Sequence, residues 1–145
     1  MTAKPIPEGY TPVTPYLIVK DVDALLKFLK DTFEAEVKEE HRMPDGTVMH
    51  ADVMIGGAHI MMGQASEKWA ERLGSIMVYV PDADAVYARA LRAGGKSLQD
   101  MTTHFYGDRS GGVEDPTGVA WWISTHVEDV SPEEMERRMK AYKPQ

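Results

Sequence analysis

A chain of 145 residues suffices for one compact domain, or two small modules sharing a core, that buries roughly 68–70% of its unfolded surface without disulfide or metal. Its formal charge of -7 and pI near 5.2 argue against a nucleic-acid groove, which needs clustered Lys and Arg, and make an anionic membrane an equally poor partner. Cysteine is absent, so there is neither a disulfide framework nor a thiol nucleophile, and MTAKPIPEGYTP opens with no apolar leader; a soluble, cytoplasmic protein is expected.

The first extended segment, Thr14 to Val19, alternates Pro15, Leu17 and Val19 with Thr14, Tyr16 and Ile18 on the opposite face. Asp21 then caps a helix, because its carboxylate can accept from first-turn amides at the positive dipole end. Val22, Leu25, Leu26, Leu29 and Phe33 follow at helical spacing and predict an apolar stripe. Three extended segments come next: Glu36 to Met43, Thr47 to Ile55 and Ala58 to Gly63, separated by Pro44-Asp45-Gly46 and Gly56-Gly57, both of hairpin type. Met49, Ala51, Val53 and Ile55 form the apolar set of the middle segment, with His50, Asp52 and Met54 between them. In the last segment Ile60 and Met62 belong under the helix, and His59 and Met61 face away. Residues 64–74, polar and carrying Trp69, read as a linker.

The second half repeats the first in one register. Val80-Pro81-Asp82-Ala83-Asp84-Ala85 falls on Val19-Lys20-Asp21-Val22-Asp23-Ala24, and such self-similarity marks a duplicated structural unit. Ile76, Val78 and Val80 alternate with Ser75, Met77 and Tyr79. Asp82 is the second helix cap, followed by a weaker stripe of Ala83, Val86, Ala90, Leu91 and Ala93. Lys96 to Phe105, a Gly-rich loop from Tyr106 to Gly111, a short strand at Gly112 to Glu114, the turn Asp115-Pro116-Thr117-Gly118 and a strand from Val119 to Thr125 complete the unit. The register sets Met61 on Trp122 and Ile60 on Trp121. Neighbours in a strand point to opposite faces, so Trp121 enters the core and Trp122 lines the concave side. Ser131-Pro132-Glu133-Glu134 opens a C-terminal helix by a capping-box pattern, a packing arm or dimer clasp. The expected fold is α+β: two βαβββ modules, residues 10–63 and 75–126, forming curved mixed sheets around a cleft, with a linker at 64–74 and a helical tail at 127–145.

His50 and Asp52 share a strand face about 7 Å apart and are the best polar pair for a metal-free reaction, an imidazole and a carboxylate that could orient a substrate or share proton transfer. Asp52 with His59 and water is a weaker candidate for a metal. Arg109, beside Asp108 in the Gly-rich loop, either clamps an anionic ligand or bridges within its own loop. Tyr16, Met61, Met77, Tyr79 and Trp122 could grip an apolar or planar molecule, or serve as a second core or a subunit interface. Neither GxxxxGK[ST], GxGxxG after a strand, HExxH nor GxSxG occurs, so phosphate-loop, dinucleotide, zincin and nucleophile-elbow chemistry have no support.

Taken together, the paired modules, the V-x-D entry into each helix and the Asp115-Pro116-Thr117-Gly118 turn resemble the vicinal oxygen chelate superfamily, which includes glyoxalase I, extradiol dioxygenases and the fosfomycin and bleomycin resistance proteins. Val13-Thr14-Pro15-Tyr16, Arg42-Met43-Pro44-Asp45-Gly46, His50-Ala51-Asp52, Tyr106-Gly107-Asp108-Arg109 and Thr125-His126-Val127-Glu128-Asp129-Val130 look most like its PhnB-like branch. The resemblance implies a metal held by one side chain from the first and last strand of each module, positions that fall on Thr14, Met61, Ser75 and Trp122. None is His, Asp or Glu, so no metal and no other cofactor is expected. It also implies a homodimer. The reading of first choice is a small-molecule-binding protein whose cleft holds an aromatic or amphipathic ligand through Thr14, Tyr16, Met61, Ser75, Met77, Tyr79, Trp122 and Arg109. An isomerase, lyase or dioxygenase relative using His50 and Asp52, or a metal at other residues, is the second.

Overall fold

A computed structural model describes residues 3–144. The first module runs β1 (Tyr16–Val19), α1 (Val22–Phe33), β2 (Glu36–Arg42), β3 (Val48–Ile55) and β4 (Ala58–Gln64). The second repeats it as β5 (Ser75–Tyr79), α2 (Ala83–Arg92), β6 (Lys96–Thr103), β7 (Asp108–Glu114) and β8 (Ala120–His126), followed by α3 (Pro132–Ala141). Each module folds into a four-stranded mixed sheet of the same topology, β1-β4-β3-β2 and β5-β8-β7-β6. The first strand of each module pairs in parallel with the last, and the remaining pairs are antiparallel.

Both helix starts follow from their sequence. Asp21 accepts from the Ala24 amide at 3.0 Å and Asp82 from the Ala85 amide at 3.1 Å, each satisfying a donor that has no partner within its own helix. The apolar stripe of α1 is covered: Val22, Leu25, Leu26, Phe28 and Leu29 are buried with Leu17, Val19, Ala51, Val53 and Met62 of the sheet. The weaker stripe of α2 buries Ala83, Val86 and Ala90.

The two modules share one core and meet through their helices. Helix α1 packs against α2, the Phe33 ring lies 5.5 Å from Trp121, and the Arg89 guanidinium donates twice to the Thr32 carbonyl at 3.0 and 3.1 Å. Trp121 is fully buried, its indole N–H donating to Asp115 at 2.7 Å. The other face of each sheet, the open face, is left without helices.

Two local readings of the sequence are corrected. The Gly-rich segment 106–111 is a hairpin turn only as far as Gly107, which adopts φ 103 and donates to the His104 carbonyl; β7 already begins at Asp108. Gly111 and Gly112 are strand residues placed where rings lie close. A Cβ on Gly111 would come within 3.0 Å of Tyr87, and one on Gly112 within 2.3 Å of Trp122. The second correction is Met49. A register shift between β2 and β3 beside His41 and Arg42 inserts one residue, so Val48 enters the core and Met49 turns outward, 57% exposed.

Candidate functional site

The open face of the first sheet collects polar and aromatic side chains through strand register. Tyr16 stands beside Met61, Met61 opposite Asp52 and Asp52 opposite Glu39; in the next row Gly63 lies opposite His50 and His50 opposite His41. Gly63 decides where Tyr16 goes. A side chain there would start 3.1 Å from the Tyr16 hydroxyl and 3.2 Å from the Met49 carbonyl, so its absence lets the phenol lie across β4. The Tyr16 hydroxyl thereby reaches Nδ1 of His50 at 3.0 Å, with the two rings stacked at 5.6 Å. His41 stacks on the far side of His50 at 6.0 Å.

His50 and Asp52 share this face, but their hydrogen bonds run in different directions. Asp52 is fully buried, and its two carboxylate oxygens are taken by the Tyr10 hydroxyl and by Nδ1 of His59 at 2.9 Å. The Tyr10 ring stacks on His59 with centroids 3.7 Å apart. Donating to Asp52 pushes the Tyr10 hydroxyl up to about 12, since losing that proton would set a second negative charge beside the carboxylate. Asp52 and His59 together thus anchor the N-terminal segment through Tyr10. Tyr10 is missed by sequence reasoning because it lies outside every periodic element; only its aromatic character amid Pro and Gly hints at a role.

The open face of the second sheet is built around Trp122. Its ring lies over Gly112 of β7, and its indole N–H donates to the Ser75 hydroxyl of β5 at 2.7 Å, so one side chain spans three strands. Met77 and Tyr79 extend this surface at 47% and 60% exposure. The Tyr79 hydroxyl donates to Asp108 at 2.7 Å, and Asp108 pairs with His126 at 2.8 Å, which pairs in turn with Asp129 at 2.7 Å. Burial pulls the Asp108 carboxyl upward, yet the His126 and Tyr79 bonds outweigh it and hold the group below the ordinary carboxylate range. His126 is raised, first by its bond to Asp108 and then by Asp129.

Arg109 is not brought to this surface. It follows Asp108 in β7, so it points to the helix side, where its guanidinium forks onto Asp84 of α2 with two bonds of 2.8 Å and reaches Thr103 at 3.1 Å. Asp84 holds the Arg109 charge in place and is itself lowered by it. A clamp for an anionic ligand is thereby replaced by a tie between sheet and helix.

Thr14, Met61, Ser75 and Trp122 do not fit the divalent metal of the resemblance. The Ser75 hydroxyl is engaged by an indole that offers no lone pair, Met61 offers only a thioether, and the Thr14 hydroxyl leans back to the Thr11 carbonyl at 3.5 Å. Among the described residues no three His, Asp or Glu side chains are grouped to hold a metal ion.

A groove of about 730 Å³ opens beside Tyr16 and His50. It is walled by Met43, Met49, Ile18 and Trp69, with Thr47, Gly63, Gln64 and Ser66 completing it. Of the residues singled out from sequence, Tyr16 and His50 line it. Trp69 is carried by a closed turn of the linker, where the Ser66 amide donates to the Trp69 carbonyl at 2.8 Å and the Trp69 amide to the Ser66 hydroxyl at 3.1 Å. The lone Trp in a polar linker was the available signal for this wall. Met49 gave none, since a bulge cannot be read from alternation.

The family model described as Glyoxalase/Bleomycin resistance protein/Dioxygenase superfamily matches residues 11–123. An uncharacterized protein of Mycobacterium bovis is 29% identical over 140 residues, covering 89% of this chain and 92% of its own length, and an uncharacterized protein of Mycobacterium tuberculosis matches at the same identity. TioX from Micromonospora superposes with a TM-score of 0.70 at 24% identity, over 81% of this chain and 99% of that one. The PhnB protein of Bacillus cereus follows at a TM-score of 0.65 and 19% identity, over 79% and 99%. At these identities the two solved structures share the fold.

Proposed function

The chain belongs to the glyoxalase/bleomycin resistance protein/dioxygenase superfamily, and on that premise we propose that it binds a small aromatic or amphipathic molecule on the open faces of its sheets without transforming it. The observation that carries this reading is the groove of about 730 Å³ beside Tyr16 and His50, within the size range of small-molecule sites. Apolar and thioether walls with few polar groups suit retention of a ligand, and the inherited metal positions hold no suitable donors. Ser75, Met77, Tyr79 and Trp122 on the open face of the second sheet, with Thr14 and Met61 at the first, are side chains that we assign to the ligand or to a second copy of the chain. A homodimer in the cytoplasm is part of the same proposal.

A second reading, an enzyme, is favoured by one observation: Tyr16 holds His50 by its Nδ1 at the edge of the groove, a geometry suited to proton transfer through the other ring nitrogen. Asp52 would serve such a reaction only by shaping the site, because both its oxygens are engaged elsewhere.

Titration of intrinsic tryptophan fluorescence with a panel of planar aromatics tests the choice. A binder gives saturable quenching, an affinity lowered about tenfold in His50→Ala, and a ligand recovered chemically unchanged. Affinity that stays the same in both His50→Ala and Trp122→Ala sinks the binding reading. A product that forms with wild type and not with His50→Ala moves the enzyme reading to first place.

A further inference from the structure

We infer that the groove beside His50 takes an uncharged, planar aromatic molecule bearing a hydroxyl group; this rests on the small-molecule reading above. The site lies apart from the four positions inherited by the fold, since none of Thr14, Met61, Ser75 and Trp122 lines it.

The chemistry of the walls selects the ligand. None of them carries an Asp, Glu, Lys or Arg side chain, so a carboxylate, phosphate or ammonium drawn into the groove would lose water without gaining a fixed counter-charge. Trp69 offers an indole ring, with the Lys68 ammonium 5.7 Å from its centre outside the groove's lining, and Met43 and Met49 offer thioethers that pack against ring edges. A flat ring is the shape these three surfaces share.

The hydroxyl follows from His50. Its Nδ1 is occupied by Tyr16 at 3.0 Å, and no side chain among the described residues hydrogen-bonds its Nε2. A tyrosine hydroxyl both donates and accepts, so the Tyr16 bond leaves Nε2 as donor in one neutral tautomer and as acceptor in the other. A ligand carbonyl satisfies only the first. A phenolic hydroxyl satisfies both, which makes it the group that fits the ring whichever way its proton lies. Tyr16 is here a positioning residue, held across β4 by the missing side chain of Gly63.

Selective ¹³C labelling of the methionine methyl groups tests the inference on the full chain, with 2-naphthol, 2-methoxynaphthalene and 2-naphthyl phosphate as probes. The expected result is that 2-naphthol shifts the Met43 and Met49 methyls saturably, that the methyl ether binds about tenfold more weakly for want of a donor, and that the phosphate binds more weakly still. His50→Phe should bring 2-naphthol and its ether to equal affinity, and Tyr16→Phe should narrow the gap between them while leaving ring binding in place. Equal affinity of naphthol and ether in wild type, or preference for the phosphate, overturns the inference. Shifts confined to Met61 and Met77 overturn the groove assignment and leave the small-molecule reading standing. No shift at any methionine overturns it as well, and adding a crosslinking test for a second copy over Met49 then shows whether a protein surface is the occupant instead. The fluorescence panel decides the broader reading independently of all these outcomes.

Discussion

Asp52 illustrates how far a residue's role depends on what surrounds it. Alternation along β3 puts it on the same face as His50, and this much is visible in the sequence. That the carboxylate is fully buried, with Tyr10 and His59 on its two oxygens, depends on a segment from 42 positions earlier folding back over the sheet. Replacing Asp52 by Asn leaves one donor facing an amide NH₂, and an unsatisfied buried donor costs about 1–3 kcal/mol. Urea unfolding should show a loss of that order for Asp52→Asn, and Tyr10→Phe should add less in the Asn background than alone, since both break one network. Full additivity would mean that Tyr10 and Asp52 are not coupled. Gly112 carries the same lesson: the sequence places it in a strand, and only the tertiary contact shows it as the bed on which the Trp122 ring lies.

At the scale of elements, α3 is the part least secured by packing, because none of its residues is buried. It is held by polar ties: Arg138 donates to the Phe105 carbonyl at 2.7 Å and forks onto Glu128, while His126 joins Asp108 to Asp129 just before the helix. The charged groups facing His126 are Asp108 and Asp129, with Tyr79 bonded to the former. The raised His126 gives stability that is complete below its unfolded value near 6.5 and is lost as pH rises through the higher folded value. The lowered Asp108 works oppositely, giving stability present above its unfolded value near 3.8 and lost as pH falls through the lower folded one. The clasp is therefore tightest between those limits. Amide hydrogen exchange at residues 127–141 should gain protection, relative to a His126→Gln variant, at pH 5.5 and lose that advantage on the alkaline side of His126. A His126→Gln chain that keeps the wild-type pH profile would show that the imidazole does not secure the tail. The sequence marks this tail as a capped helix; it does not mark its moorings, which come from the Phe105 carbonyl at a distant turn and from the carboxylates of Glu128, Asp108 and Asp129.

For the whole molecule, the shared core and the open faces lead to different consequences. Trp121 and Phe33 pack the modules into one folding unit, whereas Tyr16, Met77 and Tyr79 stay about half exposed on the open faces. Apolar surface of this kind is what subunit association covers. Light scattering should give the mass of two chains, against 16.2 kDa for one, and Met77→Arg should shift the population toward the single chain. A wild-type protein that stays at one chain throughout the micromolar range would refute the dimer. What the sequence determined by itself is the duplicated βαβββ plan, both helix caps and the division of Trp121 from Trp122, because each is written in local periodicity or in residue chemistry. What only the tertiary structure decided is the partner of each polar group: Asp52 to Tyr10, Arg109 to Asp84, Asp108 to Tyr79 and His126, and Met49 to the groove through a bulge. Periodicity specifies which face a side chain takes, while a hydrogen-bond partner or an inserted residue depends on how distant strands come into register, and local spacing carries no record of that.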